Sequence, residues 1–311
     1  MRLIAMLLAA FMATLTPALA ETKLTILLDW FVNPDHAALV IAKEGGFFAR
    51  HGLDVSFIEP ADPAMPPRLV AAGQGDIAVT YQPSFYLSRQ EGIDLVRVGA
   101  AIATPLNTLI VLEDGPIKSL ADLKGKSIGY SVSGFEDVML SAMLAKAGLT
   151  VADVKLVNVN FALTEALVSK QVDAVVGGYR NFELTEMKLA GHPGRAFYPE
   201  DVGFPAYDEL IYVTTPDKAK APQTRAFLDA TEDATLFILN HPAEAWAQFI
   251  KAYPKLDDPL NKQAWADTLP RLDHDPAAVD LARYTRMADY LKSKGLLKAV
   301  EPVERYVVPV N

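Results

Sequence analysis

The sequence predicts an α/β protein of two lobes, in which each lobe is a mainly parallel β-sheet flanked by helices and a cleft separates the lobes. Two observations carry this prediction. Short runs rich in β-branched residues alternate with helical stretches in two successive series, which is typical of parallel sheets covered by helices. From about residue 221 onward the chain has helical spacing only, so these helices need a sheet to cover.

In the first series, each strand run is followed by a helical run that ends near a glycine. The runs in chain order are LTILLDW, HAALVIAKEGGFFARHG, LDVSFIEP, PPRLVAAGQG, DIAVTYQP, SFYLSRQEG and LVRVGAAI. This βαβαβ order predicts a parallel sheet, because parallel strands require crossover connections.

The second series begins after Thr104-Pro105, which we interpret as the point where the chain crosses to the second lobe. Its runs are TLIVLED, SLADLKG, KSIGYSV, GFEDVMLSAMLAKAG, VKLVNVN, ALTEALVSKQ, VDAVVGGY and NFELTEMKLAG. The following strand, ELIYVTT, returns the chain toward the first lobe. The final helices then cover the first lobe.

These boundaries predict a discontinuous first lobe, residues 21–104 and 214–311, and a second lobe, residues 105–213. The two crossings, near Pro105 and Thr214, are the expected hinges between the lobes. Ligands of open α/β sheets bind outside the carboxyl ends of the strands. The sequence therefore predicts a site in the cleft between the lobes.

Residues 1–20 predict a secretory signal peptide. They contain one early cation, Arg2, then an apolar run, and end in Ala18-Leu19-Ala20, a small-x-small cleavage pattern. Cleavage after Ala20 leaves Glu21 as the first residue of an exported protein. No later stretch is apolar enough over a sufficient length to span a bilayer, so we expect no membrane anchor.

The composition excludes several classes of partner and chemistry. The formal net charge of −9 argues against nucleic acid, because phosphate binding requires clustered cations. The chain contains no cysteine, which excludes disulfides, a thiol nucleophile and a cysteine-based metal site. The apolar core alone must stabilise the fold.

No catalytic or metal-binding motif is present. The sequence has no G-x-S-x-G elbow, no H-E-x-x-H pair and no phosphate loop, and its five histidines are dispersed. We therefore predict a binding protein rather than an enzyme, with no catalytic residue, no cofactor and no metal.

Several phrases resemble those of the periplasmic solute-binding proteins of ABC importers. They are VIAKEGGFFARHGLDV, LVAAGQGDIAVTYQP and IKSLADLKGKSIGYSVSG. The phrase LLDWFVNPDHAAL is more particular and is similar to the NMT1/THI5-like group, which includes carriers of thiamine-precursor pyrimidines and the fungal pyrimidine synthase. The resemblance implies the type II periplasmic-binding-protein fold, a periplasmic location, a membrane permease as partner and a monomer.

The first corner of the chain holds three candidate ligand contacts, Trp30, Asn33 and His36, where a strand enters a helix. An indole suits stacking on a flat heterocycle, and an amide matches the paired donor and acceptor edge of an aminopyrimidine. His36 could bond the same edge. Each also has a structural interpretation: a core tryptophan, a helix cap and a buried structural histidine.

Three more candidates lie at other strand ends of the first half. Tyr81 and Gln82 follow DIAVT, where they either face the cleft or form a strand-ending turn before Pro83. Asn107 follows the crossing and either contacts ligand or fixes the hinge backbone. Ser133 and Gly134 precede a helix whose free N–H groups could bind an acceptor or an anion, although a plain helix cap is the simpler interpretation.

In the second lobe, GGYRNFELTE places Tyr179, Asn181 and Glu183 at the corresponding corner, with Tyr207 and Glu209 as weaker candidates. The resemblance to the pyrimidine carriers implies that Glu183 meets the amino group of the ring, as an ionised carboxylate. Alternatively, Glu183 is a solvated acid in the first turn of a helix.

The expected ligand is a small heterocycle, a thiamine-precursor pyrimidine of the formylaminopyrimidine or hydroxymethylpyrimidine type. Aromatic, amide and carboxylate groups suit a neutral or weakly basic ring better than an anion, which needs converging cations. The alternatives are riboflavin or another aromatic, an alkylsulfonate or nitrate-type anion and, more remotely, a pyrimidine-synthase-like enzyme. The fungal synthase carries a cysteine-rich segment that this chain lacks.

Overall fold

The computed structural model describes residues 21–310, and the predicted signal peptide lies outside the described residues. Ten strands form the sheets: β1 Thr22–Leu27, β2 Leu53–Ile58, β3 Ile77–Thr80, β4 Val96–Ile102, β5 Asn107–Leu112, β6 Ser127–Tyr130, β7 Lys155–Asn158, β8 Ala174–Tyr179, β9 Gly194–Phe197 and β10 Leu210–Thr214.

Twelve α-helices in residues 21–310 surround the strands, together with several short 3₁₀ turns. The helices are α1 Ala37–Glu44, α2 Phe47–Arg50, α3 Pro66–Ala71, α4 Gln82–Gln90, α5 Phe135–Lys146, α6 Leu163–Val168, α7 Glu183–Leu189, α8 Pro216–Ala219, α9 Pro222–Asn240, α10 Pro242–Ala252, α11 Pro259–Thr268 and α12 Leu281–Ser293. The single helix expected over HAALVIAKEGGFFARHG is two helices, because Gly46 adopts the left-handed region with φ 72°.

The strands form two five-stranded sheets with the same plan, as the α/β fold class predicts. The first sheet has the order β2-β1-β3-β10-β4 and the second β7-β6-β8-β5-β9. In each sheet one strand, β10 or β5, runs antiparallel to its neighbours, and the other pairings are parallel. The antiparallel strand is the one that has just crossed from the other sheet, so each sheet is mainly parallel rather than purely so.

The strand β10 locates the return crossing more exactly than the sequence does. It pairs with β3 and β4, so its ladder hydrogen bonds belong to the first sheet. The chain has therefore re-entered the first sheet before residue 210, a few residues earlier than the boundary expected at 213/214. The division of the chain into two lobes that move as units stays a prediction.

The C-terminal helices pack on the first lobe, where the sequence requires them. The ring of Phe227 in α9 stacks on Phe48 of α2, with centroids 5.7 Å apart, and meets Tyr212 of β10 edge-on at 5.0 Å. All three rings are buried. Burial of such large aromatic surfaces contributes strongly to stability, which accounts for a fold held together without disulfides.

No helix in residues 21–310 is both long and apolar enough to cross a membrane.

Candidate functional site

A cavity lies between the two sheets at the carboxyl ends of β1, β3, β6 and β8. The space between its lining atoms, part of it open to solvent, amounts to about 490 Å³. Residues from both lobes line it: Asp29, Trp30, Asn33, Asp35, His36, Tyr81, Asn107, Val132, Glu136, Leu163, Gly177, Tyr179, Phe182, Glu183 and Leu210. Seven of the nine sequence-predicted contacts are therefore brought together, and their contact with a ligand stays a prediction.

The corner after β1 is held by hydrogen bonds between its own residues. The side-chain oxygen of Asn33 accepts from the N–H of Asp35 at 2.8 Å and caps a 3₁₀ turn, while its amide donates to the carbonyl of Phe31 at 3.1 Å. In this structure the side chain of Asn33 therefore acts as the cap of the turn, which was its structural interpretation. One amide hydrogen of Asn33 is left for another partner.

His36 is a structural residue of the same corner. Its Nδ1 accepts from the N–H of Asn33 at 3.3 Å, which leaves the proton on Nε2, and Nε2–H donates to Asp29 Oδ1 at 3.0 Å. The ring is neutral in this arrangement, and both of its nitrogens have partners. His36 therefore presents a ring to the cavity but has no nitrogen left for the edge of a heterocycle.

Asp29 fixes Tyr81 as well as His36. Its second oxygen, Oδ2, accepts from the Tyr81 hydroxyl at 2.9 Å. Burial raises the pKa of Tyr81 well above its usual value, so the phenol stays protonated and keeps donating. The ring of Tyr81 also stacks on Phe135 of the second lobe, at 5.9 Å and 24°. Asp29 thus holds two residues of the cavity wall in position.

Trp30 lies at the edge of the cavity, where the lobes meet. Its ring packs edge-on against Phe161 of the second lobe, with centroids 4.6 Å apart, and Phe31 contacts the same ring at 4.6 Å. We call Trp30, Phe31 and Phe161 the aromatic edge. Trp30 is only partly buried, so it is not a core tryptophan.

Glu183 begins α7 and is buried rather than solvated, with 9 % of its surface exposed. Its Oε2 accepts from the N–H of Tyr179 at 2.6 Å. Burial raises the pKa of Glu183 to about 8, and the neighbouring carboxyls of Glu186 and Asp35 contribute to that rise. A pKa of about 8 favours the neutral carboxyl at neutral pH, whereas the sequence predicts an ionised carboxylate, and the role of Glu183 toward a ligand stays a prediction.

Glu136, which the sequence analysis missed, is the second lobe's other buried carboxyl in the cavity. It is 2 % exposed, and its Oε2 accepts from the N–H of Ser131 at 2.7 Å. Burial raises its pKa well above the usual value. Gly177 adopts φ 104°, and a Cβ there would overlap Oε1 of Glu136, so the carboxyl fits only because residue 177 is glycine.

Asn107 faces the cavity from the start of β5. Its N–H donates to Glu209 Oε2 at 2.9 Å, which fixes the backbone of the crossing. Its side-chain oxygen is buried and has no hydrogen-bond partner among the described residues. A buried oxygen without a partner costs stability unless a donor reaches it, and a ligand would supply that donor.

Two sequence-predicted residues, Gln82 and Asn181, lie outside the cavity lining. Gln82 is fully buried, accepts from the N–H of Asp208 at 2.8 Å and donates to the Tyr86 hydroxyl at 3.0 Å. Asn181 donates to Asp35 Oδ1 at 2.7 Å. Both therefore position neighbouring segments in this structure.

Asn181 joins the two lobes. Its amide donates to Asp35 Oδ1 and to Thr268 Oγ1 at 2.8 Å, and Thr268 donates to the same Asp35 oxygen at 2.8 Å. Asp35 and Thr268 belong to the first predicted lobe, and Asn181 to the second. We call these three residues the interlobe triad. Burial raises the pKa of Asp35, with its donors partly opposing that rise.

The weaker candidates, Tyr207 and Glu209, lie at the crossing and not in the cavity lining. Glu209 Oε2 accepts from the N–H groups of Leu106 and Asn107 at 2.5 and 2.9 Å and from the Tyr207 hydroxyl at 2.9 Å. Burial raises the pKa of Glu209 to about 7. This carboxyl ties together the two strands by which the chain passes between sheets.

The lining of the cavity contains four acidic residues, Asp29, Asp35, Glu136 and Glu183, and neither lysine nor arginine. Arg180, the cation that the sequence places nearest, pairs with Glu200 at 2.5 Å instead. In residues 21–310 no cluster of three or more potential ligands suits a metal ion. The site thus offers carboxyl, phenol and amide groups beside aromatic rings.

Three acidic residues of the cavity, Asp29, Asp35 and Glu136, were not among the contacts predicted from the sequence. Asp29 and Asp35 stand in the corner that drew attention to Trp30, and their position after a strand is a usable signal. Glu136 lies within SVSGFED, where an acid in the first turn of a helix normally indicates solvent-exposed capping.

The NMT1/THI5-like family model matches residues 33–245. A putative thiamine biosynthesis protein of Haemophilus influenzae is 50 % identical over 296 residues, covering 95 % of this chain and 94 % of that protein. The formylaminopyrimidine-binding protein of Halalkalibacterium halodurans is 34 % identical over 250 residues, covering 78 % of this chain and 74 % of that protein.

Among solved structures, the alkanesulfonate-binding protein SsuA from Xanthomonas axonopodis pv. citri, bound to MOPS, superposes with a TM-score of 0.73. The match covers 93 % of this chain and 99 % of that chain at 19 % sequence identity. At this identity the likeness shows the fold, which is that of the periplasmic binding proteins.

The raised pKa of Glu183 predicts a dependence of stability on pH. Its folded value of about 8 exceeds the ordinary 4.5, so its stabilising contribution is complete below about pH 4.5 and is lost as pH rises through about 8. Between pH 5 and 9, the free energy of unfolding of the wild type should fall by about 2–4 kcal/mol more than that of Glu183→Gln, because the glutamine has no proton to lose.

Urea unfolding at pH 5, 7 and 9 measures this difference, and Glu165→Gln, an exposed acid on α6, is the matched control. The control should follow the wild type at every pH. Parallel curves for Glu183→Gln and the wild type would show that Glu183 is ionised and solvated.

Proposed function

The chain belongs to the NMT1/THI5-like family, and we propose that it is the ligand-capturing component of an ABC importer for a thiamine-precursor pyrimidine, of the formylaminopyrimidine or hydroxymethylpyrimidine type. The observation that carries the proposal is the cavity itself. It combines an aromatic wall with buried carboxyl groups and an unpartnered amide oxygen, and it contains no cation.

The edge of an aminopyrimidine can form hydrogen bonds with the polar groups of the cavity, and its ring faces can stack on the aromatic wall. Its ring nitrogen and exocyclic amine form an acceptor beside a donor, and a protonated carboxyl is the complementary pair. Glu183 supplies that carboxyl, since the N–H of Tyr179 holds its Oε2 and its pKa is raised to about 8. The side-chain oxygen of Asn107 accepts a second hydrogen of the amine, and Trp30 covers a ring face.

The same chemistry disfavours an anionic ligand. Sulfonate and nitrate need cations or several convergent N–H donors, because burial of an uncompensated charge is costly. The lining has neither lysine nor arginine, and its acidic residues would repel an anion. The sulfonate-binding relatives in structure therefore share the fold of this chain and not its ligand.

The proposal includes the remaining properties that the sequence predicts. The protein is exported through cleavage after Ala20, works in the periplasm as a monomer, delivers its ligand to a membrane permease and carries out no reaction. Ligand recovered chemically unchanged after prolonged incubation supports this proposal, and conversion to a new product would favour the pyrimidine-synthase-like alternative.

The primary test is calorimetric titration of the wild type with 4-amino-5-hydroxymethyl-2-methylpyrimidine, its formylaminomethyl analogue, riboflavin and an alkylsulfonate. We expect one of the pyrimidines to bind most tightly. Trp30→Ala should weaken pyrimidine binding by about 1–3 kcal/mol, because it removes a stacked aromatic wall. Trp246→Phe, in the C-terminal helices outside the cavity, is the matched control.

Preference of the wild type for the sulfonate or the flavin would contradict the proposed ligand. Undiminished pyrimidine affinity in Trp30→Ala would contradict only the role of Trp30. The two outcomes are separable in one set of titrations.

Glu183 is tested by comparing two substitutions. Glu183→Gln keeps a donor and an acceptor in the same shape, whereas Glu183→Ala removes both. If the carboxyl binds in its neutral form, Glu183→Ala should weaken pyrimidine binding by about 1–3 kcal/mol and Glu183→Gln by less than about 1 kcal/mol. Titration at pH 6.5 measures both, and equal losses in the two variants would show that the bound carboxyl is charged.

The interlobe triad predicts that Asn181 supports affinity without lining the cavity. Asn181→Ala removes the donor that joins Asp35 to the second lobe, so open conformations should gain population and apparent pyrimidine affinity should fall by about 1–2 kcal/mol. Small-angle scattering should show compaction of the wild type by ligand and a larger radius for ligand-free Asn181→Ala.

The control for this experiment is Asn240→Ala, an exposed asparagine at the end of α9. Wild-type affinity in Asn181→Ala would remove the triad from the binding mechanism. A scattering curve that is identical with and without saturating ligand would contradict lobe closure as a whole.

A further inference from the structure

The turn between β7 and α6 carries Phe161, a residue of the second lobe that contacts two aromatic rings of the first. The ring of Phe161 meets Trp30 edge-on, with centroids 4.6 Å apart and planes at 74°, and it meets Phe31 at 4.6 Å and 43°. Trp30 lines the cavity, whereas Phe31 is 47 % exposed. The aromatic edge therefore runs from the cavity to solvent, and Phe161 contacts both of its ends.

Hydrogen bonds and burial fix the turn on both sides of Phe161. The side-chain oxygen of Asn158 accepts from the N–H of Asn160 at 2.8 Å. The carbonyl of Asn160 accepts from the hydroxyl of Ser131, a buried residue of the second lobe. Two residues after Phe161, Leu163 begins α6, is buried and lines the cavity. The backbone that carries the Phe161 ring is thus anchored to the second lobe before and after it.

Asn160 gives this turn an unusual backbone conformation. Its φ is 50°, in the left-handed region, and the other non-glycine residue of the range 21–310 with a positive φ is Lys170. Asparagine enters this region more readily than most residues, and β-branched residues are strongly disfavoured there. Asn160 is exposed, so packing of its own side chain does not impose the conformation. The left-handed residue directly before Phe161 sets the direction from which its ring approaches the first lobe.

We propose that Phe161 is a positioning residue for ligand binding: it holds the ring of Trp30 in place as a cavity wall, and it closes the edge of the cavity so that the ligand leaves slowly. This inference rests on the proposed function, in which Trp30 covers a face of the pyrimidine. A partly buried indole can change rotamer, and a ring packed edge-on against it restricts that motion.

The same contacts join the two predicted lobes. Trp30 and Phe31 belong to the first lobe and Phe161 to the second, so both ring contacts must break when the cleft opens. Each aromatic pair stabilises the closed arrangement beyond the area that it buries. Loss of the ring therefore raises the population of open conformations. Changes within one binding site act mainly on the dissociation rate, so the residence time of the ligand should shorten more than its entry slows.

The test measures the binding kinetics of 4-amino-5-hydroxymethyl-2-methylpyrimidine with the full mature chain. Stopped-flow tryptophan fluorescence at several ligand concentrations gives the association rate from the slope of the observed rate and the dissociation rate from its intercept. In Phe161→Ala the dissociation rate should rise about 5- to 50-fold, because two aromatic contacts are lost, and the association rate should change by less than about threefold.

Two further substitutions at Phe161 separate the ring from general damage. Phe161→Tyr keeps an aromatic ring and should release the pyrimidine nearly as slowly as the wild type. Phe161→Leu keeps an apolar side chain without a ring and should release it faster, as Phe161→Ala does. It carries the same expectation if Phe161→Ala does not fold.

The turn is tested by a matched pair of strained variants. Asn160→Gly accepts a positive φ and should keep slow release, whereas Asn160→Val disfavours it and should release the ligand faster. Lys170→Val is the control, because it places the same residue type at the other positive φ, an exposed position beyond the opposite end of α6. This control should release the ligand as the wild type does.

A ligand-free measurement tests the contact between Phe161 and Trp30 directly. Phe161 packs on Trp30, so acrylamide should quench the tryptophan fluorescence of Phe161→Ala more strongly than that of the wild type or of Phe161→Tyr. The other two tryptophans, Trp246 and Trp265, pack against each other at 5.3 Å in the C-terminal helices and contribute equally in all three proteins.

Wild-type dissociation rates in the folded Phe161→Ala and Phe161→Leu proteins would overturn the inference. Unchanged quenching in Phe161→Ala would overturn it as well, and so would equal effects of Asn160→Val and Lys170→Val on release. A wild type that binds neither pyrimidine would instead overturn the proposed function, and this failure is distinguishable because it precedes any comparison of variants.

Discussion

The burial of five carboxyl groups without a cationic partner is the constraint on which the cleft depends. In the described part of the chain, Asp29, Asp35, Glu136, Glu183 and Glu209 form no salt bridge with lysine or arginine. Burial of an unpaired charge is costly, so each group must be neutralised or surrounded by donors. Burial accordingly raises the pKa of four of them, and each accepts at least one hydrogen bond from the backbone or from a polar side chain.

These donors come from both lobes, and the acids therefore organise the molecule beyond the cavity. Asp35 unites the start of α1 with α11 and with Asn181 of the second lobe. Glu209 unites the two strands of the crossing. Beside it, Arg283 of α12 donates to the carbonyl of Ala103 at 2.9 Å and pairs with Asp208, so a C-terminal helix braces both connections. The hydrogen bonds that satisfy the buried acids are therefore also the contacts that join the two lobes and the crossing between them.

Much of the fold was predictable because it depends on local patterns. Alternating strand and helix signals located both series and nine of the ten strands found between residues 21 and 310, and the corner after β1 was recognised from Trp30 and its neighbours. The short edge strand β9 was missed, since GRAF has no alternation to distinguish it from a loop. The antiparallel direction of β5 and β10 depends on how the chain crosses between sheets, which no local signal encodes.

The sequence predicts which segments of the chain form the candidate site, but it does not predict the contacts of the individual side chains. Strand ends indicate which segments meet, but partners distant in sequence decide what each side chain does there. Gln82 and Tyr81 are neighbours, yet one bonds Asp208 and the other faces the cavity. The raised pKa of Glu183 has the same origin, because its burial comes from packing between elements and not from its helical position.

A buried carboxyl with a raised pKa, such as Glu183, recognises a ligand differently from a charged group. A charged group attracts every ion of opposite sign at long range. A protonated carboxyl instead binds a partner that has a donor and an acceptor at the right spacing. Burial is what raises the pKa of Asp35, Glu136 and Glu183, so access of water to an open cleft lowers these values toward the ordinary ones. Under the proposed function, recognition through a neutral carboxyl depends on closure of the cleft. The residues that join the two lobes, Asp35, Asn181 and Thr268, are then as important for specificity as those that line the cavity.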